Sequence, residues 1–165
     1  MNGFPLAAVF LATLATTAAA QDGLTDAASC TLSSTPLAFG RYTPLSAAPS
    51  DFTATVTVTC ATSSVEPVTV EGQVSLPGDP SARRLSSHGL ANGEGELRYQ
   101  LFLDPARSIP WGDGRGTGRT APVGGTVSAS TTLRQLLTVY GRILARQTQA
   151  PVGDYGDDIQ VALEF

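Results

Sequence analysis

The sequence predicts an all-β chain, and three observations carry that prediction. From Asp51 to Cys60, Phe52, Ala54, Val56, Val58 and Cys60 alternate with Thr53, Thr55, Thr57 and Thr59. This is a period of two with β-branched side chains on the polar face, the pattern of a half-buried strand. The same period returns at Ile159–Phe165, where Ile159, Val161, Leu163 and Phe165 share one face and Gln160, Ala162 and Glu164 the other. Gly (17) and Pro (11) interrupt the chain at short intervals. Regular elements are therefore short and joined by turns, which argues for a β-sandwich.

Taken in order, Met1–Ala20 reads as a secretory leader. Leu6-Ala7-Ala8-Val9-Phe10-Leu11-Ala12 is its apolar centre, and Ala18-Ala19-Ala20 offers a small-residue cleavage site before Gln21. No Lys or Arg precedes the apolar run. A membrane anchor is the alternative, but the run falls short of the ~20 apolar residues that a spanning helix needs. Cleavage leaves 165 − 20 = 145 residues, the size of one domain. Residues 21–29 form a short extension, and residues 30–165 the domain itself.

The two cysteines, Cys30 and Cys60, both lie in the exported part, where disulfides persist. A bond between them would close a loop worth about 3–4 kcal/mol in the chain-entropy model; two free thiols are the alternative. Cys60 sits on the inward face of the Thr-rich strand. Leu37–Tyr42 reads as an earlier strand region. Val68–Leu76 is a later one, with Gly72 a bulge or bend. In Glu96–Asp104, Leu97, Tyr99, Leu101 and Leu103 share a face. Gly124–Thr132 reads as an exposed Thr/Ser-rich strand or loop. Leu136–Gln147 admits a helical stripe, but Thr138, Val139 and Gly141 favour a strand. Gly112–Gly125 reads as a surface turn. The final segment ends on a large aromatic of its apolar face, which leaves no residues for a further covering strand.

Composition argues against several functions. All ten basic residues are Arg, and the net charge is −4; no basic face could neutralise phosphates. His88 is the one histidine and sits in a loop-like context, Ser86-Ser87-His88-Gly89. No G-x-S-x-G elbow is present. Asp154, Asp157 and Asp158 lie in a Gly-rich run that reads as a hydrogen-bonded turn rather than as a catalytic pair or a calcium loop. We expect no catalytic residue, no metal and no cofactor.

The ordered motifs resemble a known family. They are Cys30, Leu37-Ala38-Phe39-Gly40-Arg41-Tyr42, Val58-Thr59-Cys60, Arg83-Arg84-Leu85, and Leu97-Arg98-Tyr99-Gln100-Leu101-Phe102. Then follow Trp111-Gly112-Asp113, Thr138-Val139-Tyr140-Gly141-Arg142-Ile143 and Gly153-Asp154-Tyr155-Gly156-Asp157-Asp158 with the terminal strand. Together they resemble the spore coat protein U domain of archaic (Csu-type) chaperone–usher pilus subunits. The resemblance implies an incomplete immunoglobulin-like sandwich lacking its last strand. It implies a periplasmic chaperone, an outer-membrane usher and other pilin subunits as partners, and a surface fibre for adhesion and biofilm formation.

In that reading Ile159, Val161, Leu163 and Phe165 line one side of an acceptor groove, and Leu32, Leu37 and Phe39 the other. The chaperone pairs with the final strand and binds the Phe165 carboxylate. The Cys30–Cys60 bond ties the first strand to the second. A fibre subunit also donates a strand from its N-terminus, yet in Gln21–Ser29 only Leu24 is a sizeable apolar residue. A tip or initiating subunit is the expectation that follows. A free-standing secreted binding module, with Trp111 and Tyr155 on exposed loops for carbohydrate, is the main alternative; a hydrolase using Asp154, Asp157 or Asp158 is a second.

Overall fold

The computed structural model describes residues 8–15, 28–88 and 95–165. The Thr-rich alternation forms a strand at Ser50–Ala61, with Ala54, Val56, Val58 and Cys60 buried. It pairs antiparallel along its length with Leu133–Ile143, from Ser50 opposite Ile143 to Cys60 opposite Leu133. The segment that admitted a helical stripe is therefore a strand. Its inward set is Leu133, Leu137, Val139, Gly141 and Ile143, which leaves Leu136 58% exposed.

In chain order the strands are β1 (Ala8–Ala15), β2 (Ser29–Ser34), β3 (Leu37–Tyr42), β4 (Ser50–Ala61), β5 (Val68–Ser75) and β6 (Arg84–His88). After these come β7 (Glu96–Phe102), β8 (Ala121–Val127), β9 (Leu133–Ile143), β10 (Asp154–Gly156), β11 (Asp158–Gln160) and β12 (Ala162–Glu164). The described residues include one 3-10 turn, Pro80–Ala82, and no α-helix. Asp79 caps that turn by accepting from the Ser81 amide at 2.8 Å.

The strands form two sheets. The larger runs β11-β1-β10-β6-β7-β9-β4-β2, with β3 paired to the other edge of β1; the smaller is β12-β5-β8. Two segments cross between positions. β2 pairs with β4, whereas β3, just beyond Thr35-Pro36, pairs with β1. Pro36 supplies no N–H, so the ladder breaks there at little cost. The terminal segment divides likewise: β11 pairs with β1, and β12, past Val161, pairs with β5.

One core lies between the sheets. Leu37, Phe39, Val56, Val58, Leu97, Leu101, Trp111 and Ile143 are fully buried in it. Cys30 and Cys60 stand opposite each other on β2 and β4 and are disulfide-bonded. Trp111 joins the sheets: its backbone N–H donates to Leu101 O on β7 at 2.9 Å, and its indole Nε1–H donates to Val74 O on β5 at 3.0 Å. Beside it, a Cβ on Gly112 would stand 2.9 Å from the Gly118 Cα, so the loop packs backbone against backbone. The expected surface turn is present, with residues 114–117 exposed, but its two ends at Gly112 and Gly118 are buried beside Trp111, and from Ala121 the segment is strand β8.

Three other expectations change. Gly72 makes no bulge, since β5 and β8 stay in register through it. It lies beneath the chain end, where a Cβ would come 2.8 Å from Phe165 Cδ1. Ser86, Ser87 and His88 belong to β6, opposite Gly156, Tyr155 and Asp154 on β10. The acidic run is thus strand, not turn, because pairing with β6 satisfies its backbone. Gly124–Val127 is the end of β8, and Ser128–Thr131 closes a turn by the Ser128 N–H to Thr131 O bond at 2.9 Å.

At the far end of the β4–β9 ladder, Arg142 grips Asp51 with Nε–Oδ1 at 2.6 Å and Nη2–Oδ2 at 2.7 Å. This bidentate bond, outweighing partial desolvation, holds the Asp51 carboxyl below its usual range. Its stabilisation is present above the ordinary carboxylate range and disappears as pH falls through the lowered folded-state value. Urea midpoints followed from about pH 5 to about pH 2 should show part of this acid loss missing in Asp51→Asn. Trp111→Ala should cost about 3–5 kcal/mol in urea unfolding. Leu136→Ala, at an exposed position, should stay within about 0.5 kcal/mol.

Candidate functional site

The functional feature is a strand position rather than a pocket of reactive groups. It lies between β3 on one side and β10 and β11 on the other, and β1 occupies it. β1 runs antiparallel to β3, with Ala8 opposite Tyr42, Phe10 opposite Gly40 and Ala12 opposite Leu37. It runs parallel to the other wall, with Phe10 opposite Tyr155 and Thr13, Leu14 and Ala15 opposite Asp158, Ile159 and Gln160. A strand seated here meets ladder partners on both edges.

The walls are apolar because their inward residues follow the strand period. With β1 in place, Leu37, Phe39, Tyr42, Tyr155 and Ile159 are all buried. Phe39 packs edge-on against Phe52 and Tyr99, with centroids 5.3 and 5.5 Å apart. Gly141 of β9 makes this possible: a Cβ there would stand 3.0 Å from Leu37 Cδ2 and from Phe39 Cε1. Gly40 is the irregular point. Its φ is +65°, and the β1–β3 register shifts between Phe10 and Ala12. Glycine takes this left-handed conformation without the cost of about 1–2 kcal/mol that a Cβ brings.

Polar groups hold the second wall in place. Tyr99 Oη donates to Asp157 Oδ2 at 2.5 Å, and Tyr155 Oη donates to Pro151 O at 2.6 Å. Burial first, and the Asp157 bond second, push the Tyr99 phenol above its ordinary range; burial alone raises Tyr155. Asp157, placed by sequence reading in a turn, thus anchors the junction between β10 and β11 to the core. Across the slot, Tyr42 Oη donates to Leu144 O at 2.8 Å and accepts from the Gln147 N–H at 3.0 Å.

Of the residues expected to line a groove, the structure brings Leu37, Phe39 and Ile159 to the slot. Val161 is buried at the point where the chain passes from β11 to β12. Leu163 stands opposite Val74 in the smaller sheet. Phe165 lies over Gly72 and is 47% exposed. Leu32 is on β2, opposite Val58 and half-buried. The terminal segment keeps its alternation, but it does so across two sheets rather than along one wall. Tyr42, Tyr155, Gly40 and Gly141 belong to the slot and were missed. Their signals were present: Tyr42 closes the Leu37–Tyr42 strand, and Gly141 interrupts a β-branched run. Tyr155 was hidden by its acidic, Gly-rich neighbours.

The carbohydrate-binding alternative loses its footing. Trp111 is fully buried and Tyr155 nearly so, so neither stands on an exposed loop to stack on a sugar. Asp154 is in β10 and Asp158 in β11, with Asp157 between them bonded to Tyr99. Among the described residues no group of three or more His, Cys, Asp or Glu side chains is arranged to hold a metal ion.

The family model of the Spore Coat Protein U domain matches residues 13–162. The chain belongs to this family. The spore coat protein U domain is a structural, pilin-type domain associated with chaperone–usher pilus subunits. No curated protein matches the chain. Among the described residues no helix is long and apolar enough to cross a membrane. The match covers both walls of the slot and only Thr13–Ala15 of the strand within it.

Gly141→Val should force Leu37 and Phe39 away from β9. The expected cost is about 1–3 kcal/mol of stability, read by chemical unfolding. Faster amide hydrogen exchange at residues 37–42 should accompany it, with the β5–β8 ladder unchanged.

Proposed function

We propose that this chain is exported and serves as a structural subunit of a surface pilus assembled by chaperone–usher strand exchange, of the archaic Csu type, in support of adhesion and biofilm formation. One observation carries the reading. The closing strand of the sandwich, β1, comes from the stretch whose sequence is that of a cleavable leader. Cleavage after Ala20 removes it. The backbone edges of β3 and β11 then lose their partner, and Leu37, Phe39, Tyr155 and Ile159 lose cover.

An open apolar edge of this kind is an aggregation hazard. A strand from another chain removes it, with main-chain hydrogen bonds giving affinity and alternate side chains giving fit. A periplasmic chaperone fills the slot first and a neighbouring subunit later, at an outer-membrane usher. Leu37, Phe39 and Ile159 form the acceptor site, with Val161 at its end, where the chain passes to β12. Leu163 with Phe165 beyond it, and Leu32, lie on β12 and β2, the terminal strands of their sheets, and serve as outlying contacts for the chaperone. Residues 21–27 lie outside the described residues. The sequence of the 21–29 extension, with Leu24 its one sizeable apolar residue, makes it a weak donor, which fits a tip or initiating subunit.

The test is export of the full chain together with a periplasmic chaperone. The processed subunit should elute with the chaperone as a one-to-one complex on size exclusion and aggregate in its absence. Leu37→Asp and Ile159→Asp should abolish the complex, whereas Leu136→Asp should leave it intact. A processed chain that stays monomeric alone, with slowly exchanging amides at residues 37–42, would overturn the reading.

A further inference from the structure

We propose that Ala8–Ala15 is an intramolecular occupant of the acceptor slot, so that the uncleaved chain is a self-complemented form that takes no strand from another molecule. The inference rests on the pilus reading above and adds a regulatory step to it: loss of the leader is the event that opens the site.

The register supports this. Ala8, Phe10, Ala12 and Leu14 fall at every second position and stand opposite Tyr42, Gly40, Leu37 and Ile159, with Phe10 shared between Gly40 and Tyr155. The segment, AVFLATLA, carries no charge, so its entry brings no ionised group into an apolar site. The register shift between Phe10 and Ala12 falls at Gly40, whose φ of +65° absorbs it.

Tethering strengthens the case. A segment on the same chain meets its site as an intramolecular partner, without the dilution that a separate strand faces. An external strand at micromolar concentration competes poorly against it. The cleavage site also separates two very different segments. Residues 21–29 contain Asp22 and Asp26, and a carboxylate placed in the slot would be desolvated at a high cost. The segment suited to the slot thus lies on the leader side of Ala20. Hydrolysis of the Ala20–Gln21 peptide bond consumes one water and leaves the Ala20 carboxylate and the Gln21 amine. It turns a tethered occupant into a dissociable peptide.

The experiment uses the full, oxidised chain with a specific protease site inserted between Ala20 and Gln21. Amide hydrogen exchange is followed at residues 37–42 and 158–160, together with uptake of a fluorescent peptide of residues 8–15 bearing a solubilising lysine tail. Before cutting, those amides should be protected and uptake should be absent. After cutting, protection should fall at least tenfold on dilution, and the peptide should bind at up to one per chain. Leu14→Asp should let the uncut chain take up the peptide. Equal uptake by cut and uncut wild-type chain, or unprotected amides at both segments before cutting, would overturn self-complementation. A donor peptide from a fibre subunit separates this failure from that of the pilus reading. If it enters cut and uncut chains equally fast, only the self-complementation falls. If the cut chain stays folded and accepts neither peptide, the pilus reading falls and takes this inference with it.

Discussion

Two rows of backbone hydrogen-bonding groups, one on β3 and one on β10 and β11, face each other across a gap one strand wide, and each buried donor and acceptor there requires a partner. The apolar walls, the placement of Gly40 and Gly141, and the polar anchors at Tyr99 and Tyr155 all serve that gap. Neither water nor a loop could fill it well. Water would leave Leu37, Phe39 and Ile159 exposed, and an irregular loop would leave part of the ladder unsatisfied. Only an extended, largely uncharged segment meets both demands, which is why the site selects for strand geometry more than for any single side chain.

The rest of the molecule keeps the gap at a fixed width. The disulfide joins β2 to β4, and β4 runs in full register with β9. Trp111 bonds to β7 through its amide and to β5 through its indole. The slot walls therefore hang from a frame whose two sheets are linked independently of the slot. A sandwich with an absent strand can keep its shape only if other links replace the stiffness that the strand would have supplied. Here the covalent bond and the buried indole provide those links.

The frame was more legible in the sequence than the slot. Period-two alternation marked β4 and β7, because in those segments one face is buried and the other solvated, and Thr138, Val139 and Gly141 marked the 136–147 segment as strand rather than helix. Segments whose role depends on a distant partner were harder. Ser86–His88 and Asp154–Gly156 look like loops from composition, and it is pairing with each other and with their outer neighbours that makes them strands. Trp111 sits beside a Gly-rich stretch that reads as surface, and residues 114–117 are, yet Gly112 and Gly118 pack backbone against backbone next to the buried indole. The Ile159–Phe165 alternation indicated strand correctly but could not reveal the change of sheet at Val161, since side-chain period is blind to which neighbour supplies the hydrogen bonds. The stretch that contains β1 reads in the sequence as an export signal alone, and its pairing with β3, β10 and β11 becomes visible only in the register.

The change of strand partner along two segments has a mechanical consequence. β3 continues back into β2, which is fastened by the disulfide, and β11 continues forward into β12, which is stitched to β5. A seated strand is thus held between two rails, each moored in a different part of the body. Tension along that strand loads its ladder bonds together in shear, rather than peeling them apart one at a time. In a fibre, pulling force would pass through the whole subunit instead of concentrating at a single edge, and the joint would resist stretching far better than it resists being lifted sideways.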